Sequence, residues 1–397
     1  MSLRKPAPFI VSTDERKKKK EEIQDKNVDM VSLTQLIGQK LLFQGKPEEA
    51  VPAALQCLKF TADAYGLASV ELVSPYLILA ESSIGLGRLN QAETYLAQAQ
   101  WTILKTQHEC SNGIRSQLHR KLGLLYAAKG DYELALESLA KDIFYASCEY
   151  GTDHIRTAGG YFQMAEVFYA MHQRDKNNEN LINQESSDKP STYVYPSVTP
   201  RSLGMVSTGK TYGSFLCEEA TKHDVNLSKN SEFSVQMPMS KAPVADDLYA
   251  RVVNIWAAYL GELVESLLYK PVIPEGIGAV VAEITQETKQ TLDDAQKAEA
   301  EKMLYAIEKY RQQRISEDGT NAIMHNPVRP DPKVRLYLTL SMLNYVLERK
   351  QKAIQYLAEA KVAAEHAPEH PKIKADINLM ERALEEKTQT SCIKVSQ

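Results

Sequence analysis

The chain has 397 residues, with 47 basic against 51 acidic side chains and a formal charge of -4, so it lacks the broad basic field that holds a nucleic-acid backbone. Its five cysteines (Cys57, Cys110, Cys148, Cys217 and Cys392) are scattered, odd in number and without a C-x-x-C pair, which argues against a zinc site or a disulfide framework and for a reducing compartment. No apolar run approaches the roughly 18 residues of a membrane span, and lysines stand where a secretory leader needs a hydrophobic segment, so a soluble intracellular protein is expected.

Residues 1–28 combine Pro6, Pro8 and the run from Asp14 to Glu22. Such a composition buries too little apolar surface to offset ordering entropy, and a flexible charged arm is expected. Its lysines Lys17 to Lys20 are open to two readings: a solvated lead-in to a helix, or a contact for an acidic surface such as the carboxylate-rich tails of tubulin.

From Ser32 a hairpin pattern begins, with Gly38 on a first helix, Gly45 in the turn and Pro47 opening a second helix followed by Glu48 and Glu49. A proline there lacks only an amide hydrogen with no intrahelical acceptor, and the carboxylates complement the helix dipole. The pattern returns at Tyr76 to Ile84 and Asn90 to Ile103 around a Gly87-Arg88-Leu89 turn. It returns again with Leu122, Gly123, Tyr126, Gly130, Ala135 and Leu139 in equivalent slots.

The small residues Gly38, Ala80, Gly123 and Ala165 mark the first helices at spacings of 42, 43 and 42, and Ala50, Ala92 and Ala135 mark the second at 42 and 43. Small side chains let helix axes approach to about 8–10 Å. The predicted fold is therefore all-α: a solenoid of tetratricopeptide-type hairpins, with a period some eight residues longer than the common ~34. Arrays of this kind bind other proteins.

Residues 29–173 hold three hairpins and the first helix of a fourth, with Tyr161, Ala165 and Phe168 in register. The second helix does not follow at once. Residues 174–243 are rich in Asn, Ser, Thr and Lys and broken by Pro190, Pro196, Pro200 and Pro238. They read as a linker inserted at the hairpin turn, which loop-closure entropy tolerates, or as a segment whose Tyr193, Tyr195, Tyr212 and Phe215 anchor on a neighbour. Thr199-Pro200 is a weak kinase motif.

The missing helix resumes in residues 244–325 with Ala245, Tyr249 and Val252. One long helix or two joined ones follow, between Gly278 and Arg314. Residues 326–397 carry a weaker fifth hairpin (Tyr337, Leu340, Ser341; Ala353, Leu357, Ala360) and a charged last helix from Pro371, suited to capping the solenoid end.

Nothing assembles a reaction centre. The eight histidines show no H-x-x-x-H on a helix face, and His119 reads as a structural or surface residue. Gly159-Gly160 lacks the strand and the Lys of a phosphate loop, and no nucleophile is paired with a base. No catalytic, cofactor or metal residues are expected, and the chain is not expected to be an enzyme.

What remains is the concave face lined by the first helices. Counting from the register marks, its candidate partner-binding residues are Gln39, Leu42, Phe43, Leu77, Ile78, Glu81, Arg120, Lys121, Leu124, Phe162, Glu166 and Tyr169. Apolar positions with scattered charge suit an amphipathic helix or another repeat surface; the same apolar residues also fit packing between adjacent helices. Gln39, Ile78 and Glu81 occupy slots where a clamp for C-terminal carboxylates uses Asn or Lys, which disfavours that use. Charge reversal at Arg120 and Lys121 is expected to spare the fold and weaken partner capture.

The blocks GKPEEAVPAALQCLKF, YGLASVELVSPYLILAESSIGLGRLNQAETYLAQAQWTILK and LHRKLGLLYAAKGDYELALESLAKDIFYASCEYGTDHIRTAGGYFQMAEVFY resemble the zinc finger MYND domain-containing protein 12 family of tetratricopeptide-repeat proteins. The likeness is dense from about Leu36 to Phe168, returns at LYARVVNIWAAYL and LDDAQKAEAEKML, and is thin after Asn326. That family carries an N-terminal zinc finger, whereas residues 1–35 here contain no cysteine or histidine, so the finger is not carried over. The resemblance implies a scaffold of the motile cilium or sperm-flagellum axoneme, associated with inner-arm dynein. The implied companions are a protein similar to tetratricopeptide repeat protein 29 and the doublet microtubule, with neither nucleic acid nor membrane. The alternative is a cytosolic adaptor for cargo transport or for dynein and ciliary assembly, like the light chain of kinesin with its 42-residue period.

Overall fold

Side chains no larger than a methyl group, one marked on each helix of a hairpin, decide where helices touch. The structure, a computed structural model, describes residues 13–106, 108–187, 241–268, 292–318, 331–367 and 369–395. Its helices are α1 (Thr13–Phe43), α2 (Pro47–Tyr65), α3 (Val73–Gly85), α4 (Leu89–Lys105), α5 (Asn112–Lys129) and α6 (Tyr132–Tyr150), followed by α7 (Ile155–Ser187), α8 (Lys241–Leu268), α9 (Asp294–Asp318), α10 (Pro332–Val346), α11 (Lys350–Glu365) and α12 (Pro371–Val395). Among the described residues there is no strand.

Five pairs form hairpins: α1/α2, α3/α4, α5/α6, α7/α8 and α10/α11. Each stacks on the next, α2 on α3, α4 on α5, α6 on α7 and α8 on α10, while α12 closes the end against α8, α10 and α11. The first helices α1, α3, α5 and α7 also touch in succession. The molecule is an α-solenoid.

The register marks lie inside these contacts. Gly38, Ala80, Gly123 and Ala165 are buried, as are Ala50, Ala92, Ala135 and Ala245. Gly123 shows why: a Cβ there would stand 2.6 Å from Leu139 Cγ and 3.3 Å from the Ala135 carbonyl oxygen. Gly123→Ala should therefore cost about 1–3 kcal/mol through overpacking. An unchanged urea midpoint would contradict the close approach of α5 and α6.

The turns repeat as well. Gly45, Gly87 and Gly130 are left-handed, with φ of 74°, 71° and 86°. At Gly87 two backbone bonds close the turn, from the Gly87 amide to the Ile84 carbonyl (3.0 Å) and from the Arg88 amide to the Ser83 carbonyl (2.8 Å). The fifth hairpin copies this geometry, with Glu348 at φ 60° and bonds to Tyr345 and Asn344. A side chain is strained there where glycine is not. Glu348→Gly should stabilise the chain by about 1 kcal/mol, read as a higher denaturation midpoint; a lower one would refute the strain.

Three boundaries differ from the expectation. Residues 13–28 of the expected arm are helical, because Lys and Glu are good helix formers and Lys17/Glu21 and Lys18/Glu22 stand four apart; Gln24 donates to the Ala64 carbonyl of α2 at 3.4 Å. Helix α7 runs on to Ser187, past the expected limit at 173, since no Pro or Gly interrupts Arg174 to Ser187. Residues 241–243 already belong to α8. The packing of α7 on α8 joins the two halves of the interrupted hairpin across the insertion. Residues 1–12 and 188–240 lie outside the described residues, and with the latter Tyr193, Tyr195, Thr199-Pro200, Tyr212 and Phe215. So do 269–291 and 319–330.

Helix α9 stands apart from the hairpin series. The stack passes from α8 directly to α10, and α9, between them in sequence, turns back to lie against α1.

Candidate functional site

The sequence of α9 explains how one helix packs both on α1 of the first hairpin and on α10 of the last. Its first half buries small residues, Ala295, Ala298 and Ala300, and its second half buries Met303, Leu304, Ile307 and Tyr310. Alanine faces allow close contact, and the bulky end locks into the core that joins α7, α8 and α10 to α12.

Its contacts run from the first hairpin to the last. Lys40 of α1 donates to the Asp294 carboxylate at 2.7 Å, and the Lys302 ammonium sits 5.8 Å above the Phe43 ring. Farther along, Tyr310 meets the Tyr169 ring edge-on at 4.7 Å and donates to Asp246 of α8 at 2.7 Å. Asn344 of α10 donates to the Tyr305 hydroxyl at 3.1 Å, and Tyr356 of α11 donates to Glu308 at 3.1 Å.

Beneath the first half a cleft of about 140 Å³ remains. It is bordered by Gln39, Phe43, Leu77, Ile78, Glu81, Arg120 and Lys121 on the wall, and by Asp293, Ala295, Gln296 and Glu299 at the start of α9.

Two ion pairs build this wall. Lys121 donates to Glu81 at 2.5 Å, linking α5 to α3, with both side chains 15% exposed. Arg120 grips Asp142 through Nε (2.8 Å) and Nη2 (3.3 Å), and Nη2 also donates to the Arg156 carbonyl at 2.8 Å. Ser116 adds a bond to Asp142 at 2.5 Å. Asp142 is wholly buried.

The Gly159-Gly160 pair, which sequence reasoning set aside as no phosphate loop, has its reason here. A Cβ on Gly159 would stand 2.4 Å from Arg120 Nη1, and one on Gly160 would stand 2.8 Å from Asp142 Oδ2. Two glycines let α7 pass over the pair.

Burial alone would raise the Glu81 carboxyl, but Lys121, Lys302 and Arg120 outweigh it and hold Glu81 below the usual range. Burial would likewise weaken the Arg120 cation, and Asp142 more than restores it. Glu299 goes the other way: burial raises its carboxyl by more than Arg120 and Lys121 lower it, and neighbouring Glu81 adds to the rise.

A carboxyl raised in the folded state takes up its proton there first, so its ionised form weakens folding at neutral pH and stability returns as pH falls through the raised value. Glu299→Gln should accordingly melt higher than the natural chain at pH 7, with the difference closing as pH falls toward the ordinary carboxyl range. Glu81, whose carboxyl is lowered, contributes a slope of the opposite sign in both chains. An equal or lower melting temperature at pH 7 would refute this.

Of the twelve candidate residues, Gln39, Phe43, Leu77, Ile78, Glu81, Arg120 and Lys121 converge on the cleft. Leu42 is corrected to hairpin core, packed with Ala50, Ala54 and Leu79. Phe162 is also core, 3% exposed and edge-on to Tyr249 at 6.0 Å, because its helical phase turns it toward α8. Leu124 is partly buried on α5 and does not line the cleft. Glu166 accepts from Tyr249 at 2.5 Å, and Tyr169 receives α9. Arg120 is engaged in the interior, so reversing its charge does not spare the fold.

Asp142, Ser116, Glu299 and Tyr310 were missed. The helical Gly-Gly pair was the available signal for the first two. His119 stacks on Tyr145 at 5.5 Å. Among the described residues, no group of three His, Cys, Asp or Glu is arranged to hold a metal, and no helix is long and apolar enough to cross a membrane. No protein-family model matches the chain.

Proposed function

We propose that this chain is a non-enzymatic scaffold that receives a helix of another protein, working in the axoneme of motile cilia or sperm flagella beside the inner dynein arms. The observation that carries the binding half is α9 itself: it packs on α1 of the first hairpin and on α10 of the last, and between them it borders a cleft walled by α3 and α5. A surface of that chemistry suits an amphipathic partner helix.

A second contact surface is available on α1, where Ile23, Met30, Leu33 and Ile37 are exposed at steps of seven, three and four, the spacing of a helix-packing seam. Two modest contacts on one rigid body add up to firm attachment. The axonemal half rests on the sequence blocks similar to the zinc finger MYND domain-containing protein 12 family. It makes a protein similar to tetratricopeptide repeat protein 29, inner-arm dynein and the doublet microtubule the expected neighbours.

Fractionation tests it. An axonemal scaffold stays with detergent-stripped axonemes and leaves in high salt. Release by detergent alone would support the rival, a cytosolic adaptor for cargo or dynein assembly.

A further inference from the structure

We propose that the outer face of α1 is an open stacking surface, and that it takes a helix of a partner protein with an alanine-rich contact face stepped by four and three residues. The proposal rests on the scaffold reading above and names the partner's chemistry at the second contact.

The repeat itself shows what these positions do, because each slot of α1 has counterparts one period along the chain. Leu33 and Ile37 stand five and one residues before the register mark Gly38. The same slots are Pro75 and Leu79 before Ala80, and Leu118 and Leu122 before Gly123. In α3 and α5 all four are buried, whereas Leu33 is 49% and Ile37 39% exposed.

The second helix of the preceding hairpin covers those counterparts. Leu79 packs with Ala50 and Ala54 of α2, and Leu118 and Leu122 share a cluster with Ala92, Leu96 and Ala99 of α4. In α7 the Leu33 slot is Gly160, where a Cβ would stand 2.8 Å from Ile143 Cγ1 and from Asp142 Oδ2 of α6. Lys129 of α5 adds an ion pair with Glu93 of α4. Among the described residues no helix precedes α1 to do the same. Its open seam continues through Met30 to Ile23, about 21 Å at a rise of 1.5 Å per residue.

The covering faces define the occupant. They read Ala50, Ala54 and Cys57 on α2, and Ala92, Leu96 and Ala99 on α4, all buried. Short side chains on one helix leave room for the Leu and Ile ridges of the other. A second copy of this chain offers no such face, since α2, α4, α6 and α8 are each covered by the hairpin that follows and α12 lies on α11. Two α1 seams are also poorly matched. Lys26 lies exposed between Ile23 and Met30, and it would face a second Lys26 in a parallel pair and an apolar side chain in an antiparallel one.

Helix α4 has the chemistry required, so a labelled peptide of residues 89–105, stapled across the outward positions 94 and 98, is the probe. Fluorescence anisotropy should show it binding the full chain, and binding at least tenfold more weakly to a full chain carrying Leu33→Asp and Ile37→Asp. Both positions are exposed, so the helical signal of that chain should be kept. Ala92→Leu and Ala99→Leu in the peptide enlarge its contact face and should also weaken binding at least tenfold, a test that leaves the chain untouched. Lack of binding, or a smaller loss from either pair of changes, overturns the proposal. A concentration-dependent dimer that Leu33→Asp and Ile37→Asp abolish gives the face to a second copy and overturns it too. Axoneme retention involves no peptide, so the scaffold reading survives such a failure; a chain that binds the peptide as expected yet washes out with detergent loses the axonemal reading alone.

Discussion

Asp142→Ala is expected to cost about 3–5 kcal/mol of folding stability, the scale for removing one partner of a buried ion pair. The carboxylate is wholly buried and satisfies Ser116 and two guanidinium nitrogens of Arg120. Without it the Arg120 cation, 14% exposed, keeps one hydrogen bond, to the Arg156 carbonyl, and the cavity left is too polar to collapse. Ser116 and Arg120 belong to α5, Asp142 to α6 and Arg156 to α7, so Asp142 ties the two helices of the third hairpin together and holds Arg120 where it reaches the fourth. A urea titration should show the loss, and a shift below about 1 kcal/mol would mean that water reaches Arg120 and the pair is not interior.

Leu304→Ala should cost about 2–5 kcal/mol, as for leucines that leave a cavity in a rigid core. Leu304 is fully buried in the cluster that gathers α7, α8, α10, α11 and α12 around the second half of α9. The same helix should tolerate loss of the Asp294 side chain with little change, since its partner Lys40 and Asp294 itself are both exposed to water. A loss at Asp294 as large as that at Leu304 would contradict the exposure of the Lys40–Asp294 pair.

Much of the stack was legible in the sequence because one small residue per helix carries the information. Spacings of 42 and 43 mark Gly38, Ala80, Gly123 and Ala165, and Ala245 marks the helix that packs on α7. The turn glycines Gly45, Gly87 and Gly130 keep the same spacing for an independent reason, the left-handed backbone.

The position of α9 was not legible. A helix's pattern tells which of its faces is buried, not which neighbour buries it, and alanines such as Ala295 and Ala298 serve a hairpin partner or a groove equally well. Arg120 was misread for a related reason: its partner Asp142 is 22 positions away on another helix, and a charged residue at an outward slot looks free. The lysine and glutamate run after Thr13 pointed both ways, since the charge that resists burial also favours an isolated helix. For Leu42 and Phe162 the period fixed the helix but not its rotation to within one residue, which separates groove from core.

The account turns on α9 lying against the first hairpin, and zero-length carbodiimide coupling of the full chain reads that contact directly. Lys40 and Asp294, 254 positions apart in sequence and 2.7 Å apart in space, should form an isopeptide bond identifiable by peptide mass spectrometry, alongside the Lys121–Glu81 bond between neighbouring hairpins. Recovery of the Lys121–Glu81 linkage without any Lys40–Asp294 linkage would show that the stack forms while its inner wall stands empty.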